Sequence, residues 1–178
     1  MSDYGTLLDD NTIRFERLLP GPIERVWAYL TESDKRGTWL ASGPMELRPG
    51  GRIEFHFKHS ELSPHHEETP EPYKHKSGTS QTLTVSRCDP PYLLVHSWPD
   101  SSEVTYELTP KGDEVLLTLT HRRLTPESMQ GVFPGWHTHL GILVDRLNSR
   151  TPQPFWSTFI KLKETYAGRR AAASSQGS

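Results

Sequence analysis

The strongest constraint on this chain is a change of hydrophobic period at Thr125-Pro126. Upstream, apolar residues alternate with polar ones in short runs: Leu83/Val85, Leu94/His96/Trp98, Val104/Tyr106/Leu108 and Val115/Leu117/Leu119/His121. Period 2 with one apolar face is the mark of strands whose one side is buried. Downstream, Phe133, Trp136, Leu140, Leu143, Val144 and Leu147 recur at helical spacing, after a threonine suited to capping and a proline suited to the first turn. A run of sequential strands followed by helices requires an α+β layer, with the helices gathered on one side of an antiparallel sheet.

The start of the chain adds to this scheme. Ile13, Phe15 and Leu19 mark a half-buried strand. Pro22 then opens a helix with Ile23, Val26, Trp27 and Leu30 on one face, and Ser33-Asp34-Lys35 opens a second short one ending near Trp39. Met45 and Leu47, then Pro49-Gly50-Gly51, then Ile53, Phe55 and Phe57 read as a hairpin. Residues 58–77 carry three prolines between Ser60 and Pro72 and read as a long surface excursion, of the kind that is functional or mobile. A last helix is expected over about Pro154 to Tyr166. Residues 1–11 read as a flexible leader, 12–167 as one domain, and 168–178, rich in Ala, Ser and Gly, as a disordered tail.

Composition narrows the function classes. The 178 residues carry 20 Lys+Arg against 22 Asp+Glu, and this near-balance argues against a nucleic-acid partner. No window is apolar enough to insert in a membrane, the first residues lack the features of a signal peptide, and the lone Cys88 needs no oxidising compartment. A cytoplasmic protein is expected. No phosphate-loop, dinucleotide, nucleophile-elbow or zinc-protease motif occurs, so no cofactor and no catalytic residue is assigned.

The histidines carry what chemistry there is. His65-His66 with Glu67-Glu68, and nearby His56, His59 and His75, lack the cysteines and spacing of a zinc site, so they read as solvated and no metal is assigned. His137 and His139 stand about 200° apart on their helix and cannot chelate together. His137, beside the Phe133–Leu140–Val144 stripe, reads either as a packed histidine or as a cavity anchor, and His139 as facing outward. His96, Tyr106 and His121 share the inner sheet face with Trp98. A few polar groups among aromatics line many apolar ligand sites, and they equally often serve as satisfied core residues. The candidate cavity set is Phe55, Phe57, His96, Trp98, Tyr106, Leu119, His121, Trp136, His137, Leu140 and Val144.

Several segments together carry a family resemblance: Phe15-Glu16-Arg17-Leu18-Leu19 leading through Pro22 to Trp27, Leu47-Arg48-Pro49-Gly50-Gly51-Arg52, Cys88-Asp89-Pro90-Pro91-Tyr92, Leu117-Thr118-Leu119-Thr120-His121 and Gly135-Trp136-His137-Thr138-His139-Leu140. In this order the chain resembles the helix-grip (START-like, Bet v 1-like) superfamily, and within it proteins similar to the C-terminal domain of the activator of the Hsp90 ATPase. The resemblance implies a curved antiparallel sheet of six to seven strands wrapped around a long C-terminal helix, with two short helices after the first strand. It also implies a hydrophobic cavity holding lipids, polyketides or similar molecules. Three functions follow as expectations: a non-enzymatic binder of a small apolar ligand; a protein-interaction module with a chaperone-like or regulatory partner, of the stress-response kind; and a cyclase- or hydrolase-type enzyme using His96, His121 or His137. Monomer and homodimer both remain open.

Overall fold

Alternation builds the sheet as the sequence indicates. In the computed structural model, which describes residues 2–176, strands β1 (Thr6–Asp9), β2 (Thr12–Pro20), β3 (Arg52–His56), β4 (Ser80–Asp89), β5 (Leu93–Ser97), β6 (Glu103–Lys111) and β7 (Glu114–Arg122) form one sheet. Its order is β1-β2-β7-β6-β5-β4-β3, and every neighbouring pair is antiparallel. Between β2 and β3, helices α1 (Ile23–Thr31) and α2 (Ser33–Arg36) carry the chain across to the far edge. Helices α3 (Pro126–Leu147) and α4 (Phe155–Gln176) complete the α+β layer. The register brings Phe15 opposite Leu119 and Tyr106 beside Leu119 on the next strand, so one face is predominantly apolar. Ile13, Phe15, Leu94, Val104, Leu117 and Leu119 are buried there, and α3 covers them with Phe133, Trp136, Leu140 and Leu143. Thr125 caps α3 as its sequence foretells, its side chain accepting from the Ser128 N–H at 3.1 Å.

Three expectations are corrected. The segment 1–11 is not a loose leader. Thr6–Asp9 pairs with β2 (Leu7 opposite Ile13), and the Asn11 N–H closes the turn on Asp9 Oδ1 at 2.8 Å. Asp9-Asp10-Asn11 is itself a turn signal, but pairing with an open strand edge leaves no mark on sequence periodicity. The tail from Gly168 is helical up to Gln176, since Ala171-Ala172-Ala173 are the best helix formers and Arg169 sits 4.0 Å over the Tyr4 ring. Met1, Gly177 and Ser178 lie outside the described residues. The first arm of the expected 45–57 hairpin reduces to two isolated bridges, Ser42 to His56 and Met45 to Ile53. Pro44 and Pro49 interrupt it. Gly43, at φ +125°, lets the chain pass where a Cβ would meet the Glu54 carbonyl oxygen at 2.0 Å.

Buried Arg36 holds that irregular stretch together. It donates to the carbonyls of Ala41 (3.0 Å), Thr31 (3.1 Å) and Gly43, while its guanidinium lies 4.8 Å over the Phe55 ring. Desolvation pushes its pKa down to about 10, still far above neutrality, so it remains a cation.

Candidate functional site: an aromatic cleft under a docked loop

A cleft of about 490 Å³ opens between the sheet, α3, α4 and the 58–77 segment. Phe57 and Trp98 form its sheet wall, Trp136 and His139 its α3 wall, and Phe155, Trp156 and Phe159 its α4 wall. Neighbouring rings meet at 5.4 Å (Trp98–Trp136), 4.7 Å (His139–Phe155) and 5.8 Å (Phe155–Phe159). Gly131 and Gly135 open the α3 wall. Nothing stands within 4 Å of a Cβ added at Gly131, and at Gly135 only Phe159 does, at 4.0 Å.

Of the residues singled out from sequence, Phe57, Trp98 and Trp136 line this cleft. Phe55 stands behind them, 5.8 Å from Phe57 and 6.3 Å from Trp98. Leu119 and Leu140 are fully enclosed core residues, because the α3–sheet contact leaves no space there. His96, Tyr106 and His121 form a polar layer beneath the cleft. The Tyr106 hydroxyl donates to His96 Nε2 (3.1 Å), and His96 Nδ1–H donates to the Ser97 carbonyl (2.8 Å). Trp136 Nε1–H donates to His121 Nδ1 at 3.0 Å, so the imidazole hydrogen must sit on Nε2. From there it meets Ser102 Oγ at 2.6 Å, and Ser102 in turn donates to Asp100 Oδ1 at the cleft edge. Burial lowers His96 and His121 to about 4, so both are neutral near pH 7. Every nitrogen in this layer is engaged. Ser102 is wholly buried, and its Oγ accepts from the His121 N–H, the reverse of a hydroxyl activated by an imidazole base.

The two α3 histidines exchange places relative to expectation. His137 and Val144 face away from the cleft, into a groove on the other side of α3; His137 Nδ1 bonds the Tyr166 hydroxyl at 2.9 Å. His139 faces the cleft wall and donates from Nδ1 to the Trp39 carbonyl at 2.7 Å. Both sides of α3 are covered, one by the sheet and one by α4, so apolar stripes run along each and periodicity cannot select the cleft side.

His59 departs furthest from its reading as a solvated loop residue. Its ring stacks on Phe57 at 5.4 Å and lies 4.7 Å from Phe155 and 5.0 Å from Trp156. Desolvation lowers it to about 3. Its Nδ1 and the Trp156 Nε1–H are buried without a hydrogen-bond partner among the described residues. No sequence signal marked His59. Phe155, Trp156 and Phe159 fall within the helix expected over about Pro154 to Tyr166, but the sequence does not show which surface they cover.

The 58–77 segment is ordered by what it touches. It forms two 3₁₀ turns, His59–Glu61 and Glu71–Lys76, and buries Leu62. Tyr73 stacks on Trp156 at 4.9 Å, and Lys163 donates to the Tyr73 hydroxyl at 2.9 Å. Glu67 receives the backbone N–H groups of Trp156 and Ser157 on its two carboxylate oxygens, each at 2.8 Å. A helix leaves its first N–H groups unpaired, and a carboxylate there gains both hydrogen bonds and the favourable end of the helix dipole. Glu67→Ala should therefore cost about 1–2 kcal/mol of stability and expose the segment to proteolysis. Limited trypsin digestion checks this: cutting at Lys74 or Lys76 no faster than in the wild type would show that Glu67 does not hold the segment down.

Among the described residues, no group of three or more His, Cys, Asp or Glu side chains is placed to hold a metal ion, and no helix is long and apolar enough to cross a membrane.

Comparison with known proteins agrees with this geometry. The family model described as activator of Hsp90 ATPase homolog 1-like protein matches residues 20–148, which ends where α3 ends. A protein of Bordetella parapertussis, solved by solution NMR, is 42% identical over 93% of this chain and 90% of its own, with a TM-score of 0.80. Two more distant structures share the fold. CalU16 of Micromonospora echinospora is 22% identical over 88% of this chain and 86% of its own (TM-score 0.64). A conserved protein of unknown function from Enterococcus faecalis is 19% identical over 94% and 91% (TM-score 0.67). No curated protein matches the chain.

Proposed function

The chain belongs to the activator of Hsp90 ATPase homolog 1-like family, and within it we propose that this protein binds a small, largely aromatic molecule in the cleft without transforming it. The observation that carries the reading is the cleft's wall: three tryptophans, Trp98, Trp136 and Trp156, with Phe57, Phe155 and Phe159, around about 490 Å³. That size and lining suit a compact apolar ligand. The unpartnered His59 Nδ1 and Trp156 Nε1–H favour a ligand bearing one oxygen, because a wholly apolar guest would leave both nitrogens unpaired. A ligand hydroxyl can accept from the indole and donate to an imidazole nitrogen. The engaged state of His96 and His121 argues for binding over turnover, since neither offers a free lone pair to a substrate.

Tryptophan fluorescence titrated with 1-naphthol and with naphthalene tests this. Quenching by 1-naphthol, with affinity about tenfold above naphthalene's, is the expected result. Native mass spectrometry of freshly purified protein should in addition carry a stoichiometric small molecule. No binding of either probe, together with an empty protein, would move the reading to the interaction module that the family name suggests. A chaperone-type partner would then be sought by pull-down.

A further inference from the structure

A second groove, of about 670 Å³, lies on the other flank of the α3–α4 contact. Arg17 and Asp3 stand in it, and Ile142, Val144 and Leu162 give it an apolar wall. It draws on α3 and α4 residues set two positions along from those of the cleft, such as His137 against His139 and Thr158 against Trp156, which is about 200° round each helix.

Arg17 is the unusual group here. It projects from β2 and is only 4% exposed. Its Nη1 donates to the Glu16 carbonyl at 2.8 Å, while Nε and Nη2 have no hydrogen-bond partner among the described residues. Phe15 lies beneath it, 5.6 Å from the guanidinium carbon. The surrounding charges do not neutralise it by contact. Asp3 is exposed and acts on it only at longer range, and Asp145 is occupied by Arg150 at 3.1 Å. Desolvation lowers the Arg17 pKa, yet a guanidinium remains charged. His137 supplies a neutral neighbour. The Tyr166 hydroxyl accepts from the Gly5 N–H at 2.9 Å and bonds His137 Nδ1 at 2.9 Å, and the His137 ring lines the groove. A buried cation with one unpaired edge, beside a neutral imidazole and an apolar wall, is costly to hold empty and well shaped for one kind of guest.

We propose that this groove is a second binding site, for an organic carboxylate, whose two oxygens accept from the Nε/Nη2 edge of Arg17 while its hydrocarbon body lies along Ile142, Val144 and Leu162. A planar carboxylate matches the guanidinium fork with two parallel hydrogen bonds, which a lysine in this place could not offer. The proposal stands on residues separate from the cleft and does not depend on the ligand proposed for it.

Calorimetric titration with sodium hexanoate tests it, with 1-hexanol and inorganic phosphate as comparison probes. Hexanoate should bind, and Arg17→Met should weaken it by about tenfold to a hundredfold. The same variant should melt no lower than the wild type in the absence of hexanoate, since it removes an unpaired buried charge. Arg17→Lys keeps the charge but loses the fork and should also weaken binding. Asp3→Asn, at an exposed position, removes the competing negative charge and should tighten it, which keeps the test decisive if changes at Arg17 disturb folding. Hexanoate bound equally well by Arg17→Met, hexanol or phosphate bound as tightly as hexanoate, or weaker binding in Asp3→Asn would each overturn the proposal.

Discussion

Between about pH 7.5 and about pH 5 the folded protein should lose at least about 6 kcal/mol of stability, and a urea titration repeated at each pH should show the midpoint falling steeply below pH 6.5. The loss comes chiefly from His96, His121 and His139, which are 0%, 0% and 7% exposed, and burial of His59 and His137 adds to it in the same direction. Desolvation lowers each from 6.5 to about 4. Arg36 adds to the effect at His96. At His121, Asp100 opposes it and His96 reinforces it. At His139 the bond to the Trp39 carbonyl opposes it, and the His59 ring lies 5.6 Å away. As pH drops through 6.5 the unfolded chain takes up protons on these three residues, while the folded chain does not until pH nears 4. The unfolded state thus binds more protons throughout that window, so stability falls as pH falls. Each histidine contributes about 2 kcal/mol at pH 5. Against a total of about 5–15 kcal/mol for a typical domain, the sum is a large fraction. A midpoint that stays level from pH 7 to pH 5 would contradict the neutral, engaged state assigned to the polar layer under the cleft. His121→Gln should flatten the curve in part, because the amide cannot titrate.

The same polar layer marks the limit of what the amino-acid pattern discloses. Its members were legible: His96, Tyr106 and His121 fall on the inward phase of their strands, and the structure buries all three. Their roles were not, because a residue on the inward face of a curved sheet can meet either open space or α3. That depends on the curvature and on side-chain sizes far away in sequence. Trp136 settles it by placing its indole N–H on His121, 15 residues on. The sheet and the order of elements were legible for a related reason. Period 2 is a local property, and here tertiary packing agrees with it from Gln81 to His121. Where structure rests on single long-range contacts, the pattern is silent. Arg36 is a helix-end arginine by sequence and a buried clasp by structure, and Glu67 is one of a pair of loop glutamates until α4 presents its N-terminus. His59 shows the same thing: a histidine beside a proline-rich stretch reads as solvated, and only docking of that stretch onto Trp156 buries it.

Closing the cleft from its α3 wall should abolish small-molecule binding while leaving the fold intact or firmer. The variant to make is Gly131→Leu combined with Gly135→Leu. Both glycines lie within α3, and an added Cβ at either meets nothing closer than Phe159 at 4.0 Å. The new side chains would extend into the space between Trp98, Trp136 and Phe159 and not into packed core. Replacing glycine in a helix interior also raises helix propensity by about 0.5–1 kcal/mol per site, so the melting temperature should hold or rise. By contrast, Leu140→Trp would enlarge a fully buried side chain at the sheet contact and would report on overpacking instead of ligand access. The 1-naphthol affinity of the double variant should fall by at least about tenfold, a change of about 1.4 kcal/mol. Gly141→Ala supplies the comparison: it lies on the same helix, its added Cβ also meets nothing within 4 Å, and it faces the Arg17 groove. It should firm the helix equally and leave naphthol binding unchanged. Naphthol bound normally by a folded double variant would place the ligand outside the cleft. Loss of binding in Gly141→Ala as well would show that the helix, and not the space beside it, had been altered.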